Sequence, residues 1–213
     1  IWQEWLYPKN NIRYNCMLGI GTLIGKLIDK FLKKPMTYAE MYEQVKIKPE
    51  KLAEVKWVAT KITSNQKKYE AVVKDLKNGM PYWFVGIIHF MEGGGKFSTH
   101  LHNGDPLTDR TKNVPAGRPK AGNPPFTWHQ SAIDALMYMG YHKIIKWDIQ
   151  TCLDLFERYN GMGYKKKGLP SPYLWSYTQF YTKGKYVKDG KYDPNAISKQ
   201  PGVAAIMKEL GVL

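Results

Sequence analysis

The sequence predicts a single α+β domain that is mainly α-helical and carries a small β-hairpin lobe after a central helix. Three observations support this fold class. Apolar residues recur at helical spacing through most of the chain. Residues 82–91 (YWFVGIIHFM) are apolar on nearly every side, as in a helix that crosses the middle of a core. Residues 96–125 are rich in Gly, Pro, Asn and Thr and lack a helical period.

The first half of the predicted domain consists of helices with recognisable ends. Thr37-Tyr-Ala-Glu40 has the form of a capping box and predicts the start of a helix. Helical spacing then continues over residues 51–77, where Ser64-Asn65 predicts a break. Pro81 suits the first turn of the central helix, because its missing N–H would be unpaired there in any case.

After the central helix, the irregular segment predicts a small β-hairpin around residues 106–114. Thr127 opens a second capping box, and Asp148 can cap a further helix. Asp-Gly between two tyrosine-bearing arms predicts a short hairpin at residues 186–192. A last helix is expected over residues 203–210.

Composition describes a folded, strongly basic protein. Of 213 residues, 43% are hydrophobic and 14% aromatic, which excludes a disordered chain. Lys and Arg number 32 against 18 Asp and Glu, so the formal net charge is +14. This positive charge would attract a polyanion such as nucleic acid, an anionic membrane surface or an acidic cell wall. Cys16 and Cys152 alone support neither a disulfide framework nor a cysteine zinc cluster.

The N-terminal part is the closest approach to a membrane segment. Residues 17–32 combine an apolar face with Lys26, Asp29 and Lys30, and no apolar run reaches the ~18–20 residues that a membrane span requires. We therefore expect an amphipathic helical segment within residues 1–34, which either packs on the core or contacts a membrane. We treat residues 1–213 as one domain and expect a monomer.

Glu92 is the strongest candidate for a catalytic residue. It is the only acidic residue between Asp75 and Asp105, and it ends the apolar central helix just before Gly93-Gly-Gly95. Burial and the negative end of the helix dipole both disfavour ionisation of a carboxyl there. A carboxylic acid that stays protonated near neutral pH can donate a proton to a leaving oxygen, as glycoside cleavage requires. A plain helix end reaching water is the alternative interpretation.

A family resemblance adds to this reading. An apolar helix that ends in Glu and is followed by small residues and a polar hairpin resembles the catalytic segment of the lysozyme superfamily, which includes goose-type and phage lysozymes, lytic transglycosylases and plant-type chitinases. His89 and Glu92-Gly-Gly resemble the His-Glu-x-Gly-Gly of those chitinases, although His lies three residues before Glu here. Further segments resemble lysozyme-like proteins of bacteria and phages, namely residues 92–119, 159–164 and 171–176.

The resemblance implies a lysozyme-like fold and a set of substrate contacts. Tyr159-Asn160-Gly161 is similar to the Tyr-Asn-Ala-Gly segment that lines the cleft of lytic transglycosylases, with Gly in place of Ala. Tyr173 and Trp175 are candidate stacking platforms for sugars, although such spacing is also typical of a core.

The identity of the second catalytic group depends on which of two mechanisms the enzyme uses. An inverting hydrolase needs a general base across from the acid, and Asp105 is our candidate, with Asp109 as the other hairpin carboxylate. Thr108 or Thr111 could position the water, as the hairpin Thr does in phage lysozymes. Asp105 also suits a purely structural turn. If neither carboxylate faces Glu92, a lytic transglycosylase mechanism with one carboxylate is the better interpretation.

The histidines are assigned to substrate binding, with no metal or other cofactor expected. His100 and His102 alternate with one residue between them, but their spacing fits no strong zinc motif. We assign His89 and His102 to substrate contacts, with loop packing as the alternative. Gly93-Gly-Gly-Lys96 lacks the other residues of a phosphate-binding loop.

The sequence therefore predicts a peptidoglycan glycosidase that cleaves bonds between N-acetylmuramic acid and N-acetylglucosamine, with Glu92 as general acid. The expected partners are glycan strands and the anionic wall or outer-membrane surface, not nucleic acid. We expect the protein to act in the periplasm or outside the cell, as a phage endolysin or a secreted bacterial enzyme. Alternatives are a lytic transglycosylase, a chitinase-like glycosidase, or a non-catalytic basic protein that binds glycan or nucleic acid.

Overall fold

The computed structural model describes residues 35–188 and 190–212. The amphipathic segment expected within residues 1–34 lies outside the described residues. From Thr37 onward the chain forms one compact unit. None of the helices in the described ranges combines the length and the apolar character needed to cross a bilayer.

The unit is mainly helical, and its helices follow the predicted order. Short 3-10 turns at Pro49–Lys51 and Tyr141–Lys143 join some of the α-helices. The α-helices that the structure describes are α1 (Tyr38–Glu43), α2 (Leu52–Ser64), α3 (Gln66–Leu76), α4 (Tyr82–Gly93), α5 (Trp128–Tyr138), α6 (Ile149–Asn160), α7 (Gly163–Lys166), α8 (Pro172–Trp175) and α9 (Val203–Glu209).

The predicted helix starts are confirmed. Thr37 and Thr127 each form a reciprocal capping box, in which the threonine side chain accepts a backbone N–H and the side chain three residues on accepts the threonine N–H. The Asp148 carboxylate accepts the Thr151 N–H at 2.8 Å and caps α6. The predicted break is also present, since Asn65 separates α2 from α3.

Helix α4 occupies the middle of the core, as its apolar sequence predicts. Residues 84–89 of this helix are buried, and α2, α3 and α9 pack around it. Phe84 forms the aromatic centre, with ring centroids 4.4 Å from Phe156, 5.1 Å from Trp147 and 5.6 Å from Tyr141. This burial holds the last turn of α4 in a fixed position, and that turn carries Glu92.

The β structure differs from the prediction in one place. The hairpin predicted at residues 186–192 is confirmed as an antiparallel pair, β1 (Lys185–Lys188) and β2 (Lys191–Asp193), with Lys185 opposite Asp193. The hairpin expected at residues 106–114 is absent from the described structure, where a single bridge joins Thr99 to Pro106. Side-chain hydrogen bonds to the backbone organise this segment instead of a strand ladder, so the segment after α4 is an irregular loop.

Candidate active site

Glu92 lies in the last turn of α4, where two glycines end the helix. Gly94 and Gly95 have φ values of +60° and +73°, a left-handed conformation that favours glycine. Their N–H groups donate to the Phe90 and His89 carbonyls, which would otherwise be unpaired at the helix end. The chain therefore leaves the helix at Gly94, two residues after Glu92, within the glycine run.

The Glu92 carboxyl is in a setting that favours the protonated form. Burial raises its pKa to about 7, although a hydrogen bond from Tyr173 acts in the opposite direction. The Tyr173 hydroxyl donates to Oε1 at 3.2 Å. Oε2 accepts no hydrogen bond from the described residues, so it is available to a ligand. At neutral pH a large share of the molecules therefore hold a proton that can be transferred.

Glu92 lines a cavity of about 340 Å³, which we call the acid cavity. One wall comes from α5 and α6, and the irregular loop after α4 supplies the other. The Tyr159 hydroxyl donates to the Leu101 carbonyl at 2.8 Å and joins α6 to this loop. The lining residues are Glu92, His102, Asn103, Val114, Pro115, Ala135, Tyr138, Met139 and Tyr159.

Asp105 organises the loop that faces Glu92. Its Oδ2 accepts the backbone N–H groups of Lys112 and Asn113 at 2.7 and 2.9 Å, and the Asn103 side chain at 3.1 Å. Its Oδ1 accepts the Asn113 side chain at 2.6 Å. Burial acts to raise the pKa of Asp105, but these hydrogen bonds together lower it. The carboxylate thus acts as a clamp across the loop.

The structure does not bring the predicted second catalytic group into the acid cavity. The loop does approach the end of α4, since a Cβ at Gly104 would lie 3.1 Å from the Glu92 carbonyl oxygen. Asp105 and Thr108, however, are not among the residues that line the cavity, and Thr108 and Asp109 are exposed. Glu92 is the one carboxylate among the described residues of the cavity wall, so catalytic roles for Asp105 and Thr108 stay predictions.

His102 lines the acid cavity as part of a buried polar network. Its Nε2 lies 2.8 Å from Oδ2 of Asp134, which also binds Arg118 through both carboxylate oxygens at 2.8 Å. Burial lowers the pKa of His102 although Asp134 acts to raise it, so the ring is neutral at neutral pH. The Arg118 N–H also donates to Thr111 Oγ1 at 2.9 Å. This network fixes the loop to α5.

His89 and Trp175 differ from their expected roles. His89 is 1% exposed, and its two ring nitrogens lie 3.1 Å from the Tyr69 hydroxyl and 3.0 Å from the Lys96 carbonyl. Trp175 is also 1% exposed and packs its ring edge-on against Tyr38. Both side chains therefore support the fold in this geometry and do not reach a substrate, contrary to the sequence-based assignment.

The other predicted contacts lie close to Glu92. Tyr159 lines the acid cavity, and Tyr173 contacts the Glu92 carboxyl directly through its hydroxyl. Asn160 is exposed at the end of α6 and lines a second cavity beside Tyr173. The structure thus gathers Glu92, Tyr159, Asn160 and Tyr173 in one region, and their roles in substrate binding stay predictions.

Sequence reasoning missed several residues of this region. Asp134 and Arg118 form the ion pair that holds the loop, and Asn103, Tyr138 and Met139 line the acid cavity. Arg118 lies in a segment that the resemblance covers, and Asp134 is the only carboxylate of α5, so both carried a weak signal. No signal in the sequence indicated that Met139 lines the acid cavity.

The described residues contain no group of three His, Cys, Asp or Glu side chains placed to hold a metal ion. His100, the other loop histidine, is buried and its ring nitrogens lie 2.8 Å from Ser131 Oγ and 2.8 Å from the Asp109 carbonyl. The geometry is therefore that of a cavity with one acid of raised pKa and several aromatic and amide groups. In comparisons with protein-family models, curated proteins and solved structures, nothing matches this chain.

Proposed function

We propose that this protein is a peptidoglycan glycosidase of lysozyme-like fold that cleaves the bond between N-acetylmuramic acid and N-acetylglucosamine. The observation that carries the proposal is Glu92, a half-buried carboxyl with a pKa near 7 at the wall of a cavity. Ordinary glutamates are ionised at neutral pH and cannot donate a proton there. A carboxyl with this pKa can act as general acid on a glycosidic oxygen.

The first step uses the free oxygen of the carboxyl. Tyr173 holds Oε1, so the proton to be transferred sits on Oε2. This proton passes to the glycosidic oxygen while the bond from that oxygen to the anomeric carbon breaks and its electron pair goes to the departing oxygen. The sugar that remains carries oxocarbenium character, and Glu92 is left as a carboxylate.

In the second step a nucleophile attacks the anomeric carbon, and the lining of the acid cavity favours a mechanism in which Glu92 is the only carboxylate. Among the described residues, no other carboxylate lines the acid cavity, so Glu92 itself is the best placed base. It would accept a proton from the hydroxyl that attacks the anomeric carbon. If that hydroxyl is the 6-hydroxyl of the muramic sugar, the product is a 1,6-anhydro sugar, as in a lytic transglycosylase. If it is water, the product has a free reducing end.

The charge of the chain suits a wall-bound enzyme. A formal charge of +14 attracts the protein to a polyanionic wall or outer-membrane surface and raises its local concentration there. This part of the proposal places the protein at the bacterial cell wall, either as a phage lysin or as a secreted bacterial enzyme.

The test compares wild type with Glu92→Gln on purified peptidoglycan, followed by turbidity and by release of soluble muropeptides. The substitution keeps the shape of the side chain and removes the transferable proton, so activity should fall by about 10²- to 10⁴-fold. Glu50→Gln, at an exposed position, is the matched control and should stay active. If Glu92→Gln keeps more than about a tenth of the activity, the proposal fails. Binding to walls without any cleavage by wild type would instead indicate a non-catalytic binding protein.

A further inference from the structure

A second cavity of about 330 Å³ lies between α6, α8 and the β1–β2 hairpin, and we call it the hairpin cavity. The proposed cleavage chemistry does not use it. Its wall combines tyrosine rings, amide and hydroxyl groups and two lysines. The lining residues are Asn160, Tyr164, Pro172, Tyr173, Lys185, Tyr186, Ser198, Lys199 and Gln200.

The hairpin cavity lies next to the acid cavity, because residues of their two walls are in contact. Tyr173 lines the hairpin cavity, and its hydroxyl reaches Oε1 of Glu92 in the wall of the acid cavity. Tyr159 lines the acid cavity, and Asn160, the next residue, lines the hairpin cavity. The two cavities are therefore neighbours, joined through the Tyr173–Glu92 hydrogen bond.

The two lysines of the hairpin cavity lack acidic partners within the part of the chain that the structure describes. Neither Lys185 nor Lys199 forms an ion pair with any described residue, whereas Lys165 and Lys51 elsewhere do. Lys188 lines the adjoining space, which shares Asn160 and Tyr186 with the hairpin cavity, and it too is unpaired in the described chain. No described carboxylate lines either space. Positive potential in a recess of this kind attracts an anionic group.

The wall that carries the lysines is held in place by contacts that do not involve them. The Tyr186 N–H donates to the Tyr164 hydroxyl at 2.8 Å, and the two rings pack edge to face with centroids 5.2 Å apart. The Ser198 N–H donates to the Tyr181 hydroxyl at 3.1 Å, which fixes the segment before Lys199. Both lysines therefore project from a preformed frame, and their substitution should leave that frame intact.

We propose that the hairpin cavity binds a carboxylate-bearing substituent of the glycan through Lys185 and Lys199 and so selects substituted strands over plain amino-sugar polymers. This inference rests on the proposed function. Peptidoglycan offers carboxylates on its muramic sugars in two forms. Where the peptide stem is attached, its first residue is joined to the lactyl group by an amide bond and the free carboxylates belong to the stem, whereas a sugar without a stem carries a free lactyl carboxylate. A polymer of N-acetylglucosamine has no carboxylate, so the lysines would not strengthen its binding.

The experiment measures kcat/KM for the double variant Lys185→Gln/Lys199→Gln. Its matched control is Lys183→Gln/Lys191→Gln, which loses the same charge from the same region, where both lysines are exposed and line neither cavity. The substrates are intact peptidoglycan and amidase-treated glycan, which lacks the stem and carries the lactyl carboxylate that its removal sets free. We expect the cavity variant to lose about tenfold or more on intact peptidoglycan, since two charge-assisted contacts are removed. The control should stay within about twofold of wild type.

The two substrates identify the carboxylate. A loss on intact peptidoglycan alone indicates that the lysines bind a carboxylate of the stem, and a loss on amidase-treated glycan alone indicates that they bind the free lactyl carboxylate. A loss on both substrates indicates that the cavity accepts either carboxylate. Lys185→Arg/Lys199→Arg should restore activity because it restores the charge, and failure to do so would overturn the inference. Equal activity of the cavity variant and the control would also overturn it while leaving the proposed function in place. If wild type and Glu92→Gln are equally inactive on both substrates, the proposed function itself fails.

Discussion

The Tyr173 hydroxyl donates a hydrogen bond of 3.2 Å to Oε1 of Glu92, although the two residues lie 81 positions apart in the chain. Tyr173 is buried at the start of α8, and Glu92 is in the last turn of α4. The bond orients the carboxyl and occupies one of its oxygens. It also favours the ionised form, so Tyr173 and burial act on the pKa of Glu92 in opposite directions.

Tyr173→Phe should move the alkaline limb of the pH–activity profile to higher pH. The hydrogen bond from Tyr173 lowers the pKa of Glu92, so its loss lets burial raise that pKa further above about 7. The acid then stays protonated over a wider pH range. Cleavage of soluble glycan fragments, measured as kcat/KM against pH, reports this limb.

Tyr42→Phe is the matched control for that experiment, because Tyr42 is also buried and donates its hydroxyl to the Val212 carbonyl at 2.7 Å. It should leave the limb where wild type has it. An unchanged limb in Tyr173→Phe, with activity lost only through a fall in thermal stability, would mean that Tyr173 supports the fold without tuning Glu92.

Glu92→Gln should be more stable than wild type above neutral pH. In the folded state the pKa of Glu92 is about 7, whereas an exposed glutamate in the unfolded chain titrates near 4.3. The folded protein therefore holds an extra proton between about pH 4.5 and 7, and the stability of wild type falls as pH rises through that window. Glutamine does not titrate, so it removes this loss. Thermal unfolding at about pH 5 and about pH 8 should show a larger advantage for the variant at the higher pH.

Local signals in the sequence are sufficient to place the acid. The apolar residues of α4 and the glycines after it are neighbours in the chain, so the helix end and the burial of Glu92 follow from sequence spacing. The capping boxes at Thr37 and Thr127 are local in the same sense, since each joins residues three apart.

The surroundings of the acid depend on contacts between distant parts of the chain, and these were harder to predict. The hairpin expected at residues 106–114 is replaced by a loop that Asp105 and Arg118 hold through side-chain hydrogen bonds. Such a loop has no periodicity to recognise. Trp175 has the composition of a sugar platform, but α8 directs it into the core, where it is 1% exposed. An aromatic residue that stacks on a sugar and one that packs in the core have the same sequence pattern. Only the packing of the folded chain distinguishes them.

Asp105→Asn should act through the loop. Asparagine lacks the negative charge that accepts four hydrogen bonds here, so the loop should lose stability and activity should fall in parallel. The reaction products should not change. Mass spectrometry of muropeptides from wild type and variant should show the same product ends, 1,6-anhydro or reducing, if Glu92 works alone. Free reducing ends in wild type, together with loss of activity in Asp105→Asn at unchanged loop stability, would restore Asp105 as the base.

Glu157→Met should stabilise the protein without affecting cleavage. Glu157 is 0% exposed on α6, and the Tyr38 hydroxyl and the Lys165 N–H lie close enough to lower the pKa of its carboxyl without completing a hydrogen bond of normal geometry to either oxygen. Burial raises its pKa to about 7, so the folded state again binds a proton that the unfolded chain releases near pH 4.3. A buried polar group whose hydrogen bonds are incomplete costs up to about 1–3 kcal/mol, and methionine fills a similar space without that cost.

The pH dependence distinguishes this account from simple repacking. Because the cost of Glu157 increases as its carboxyl ionises, the gain in unfolding free energy should be larger at about pH 8 than at about pH 5. Glu70→Met, at an exposed position of α3, should show no such increase. Glu157 lines neither the acid cavity nor the hairpin cavity, so the variant should cleave peptidoglycan at the wild-type rate. If a folded Glu157→Met protein loses cleavage, this second carboxyl of raised pKa takes part in the function, and the assignment of Glu92 as the sole acid is wrong.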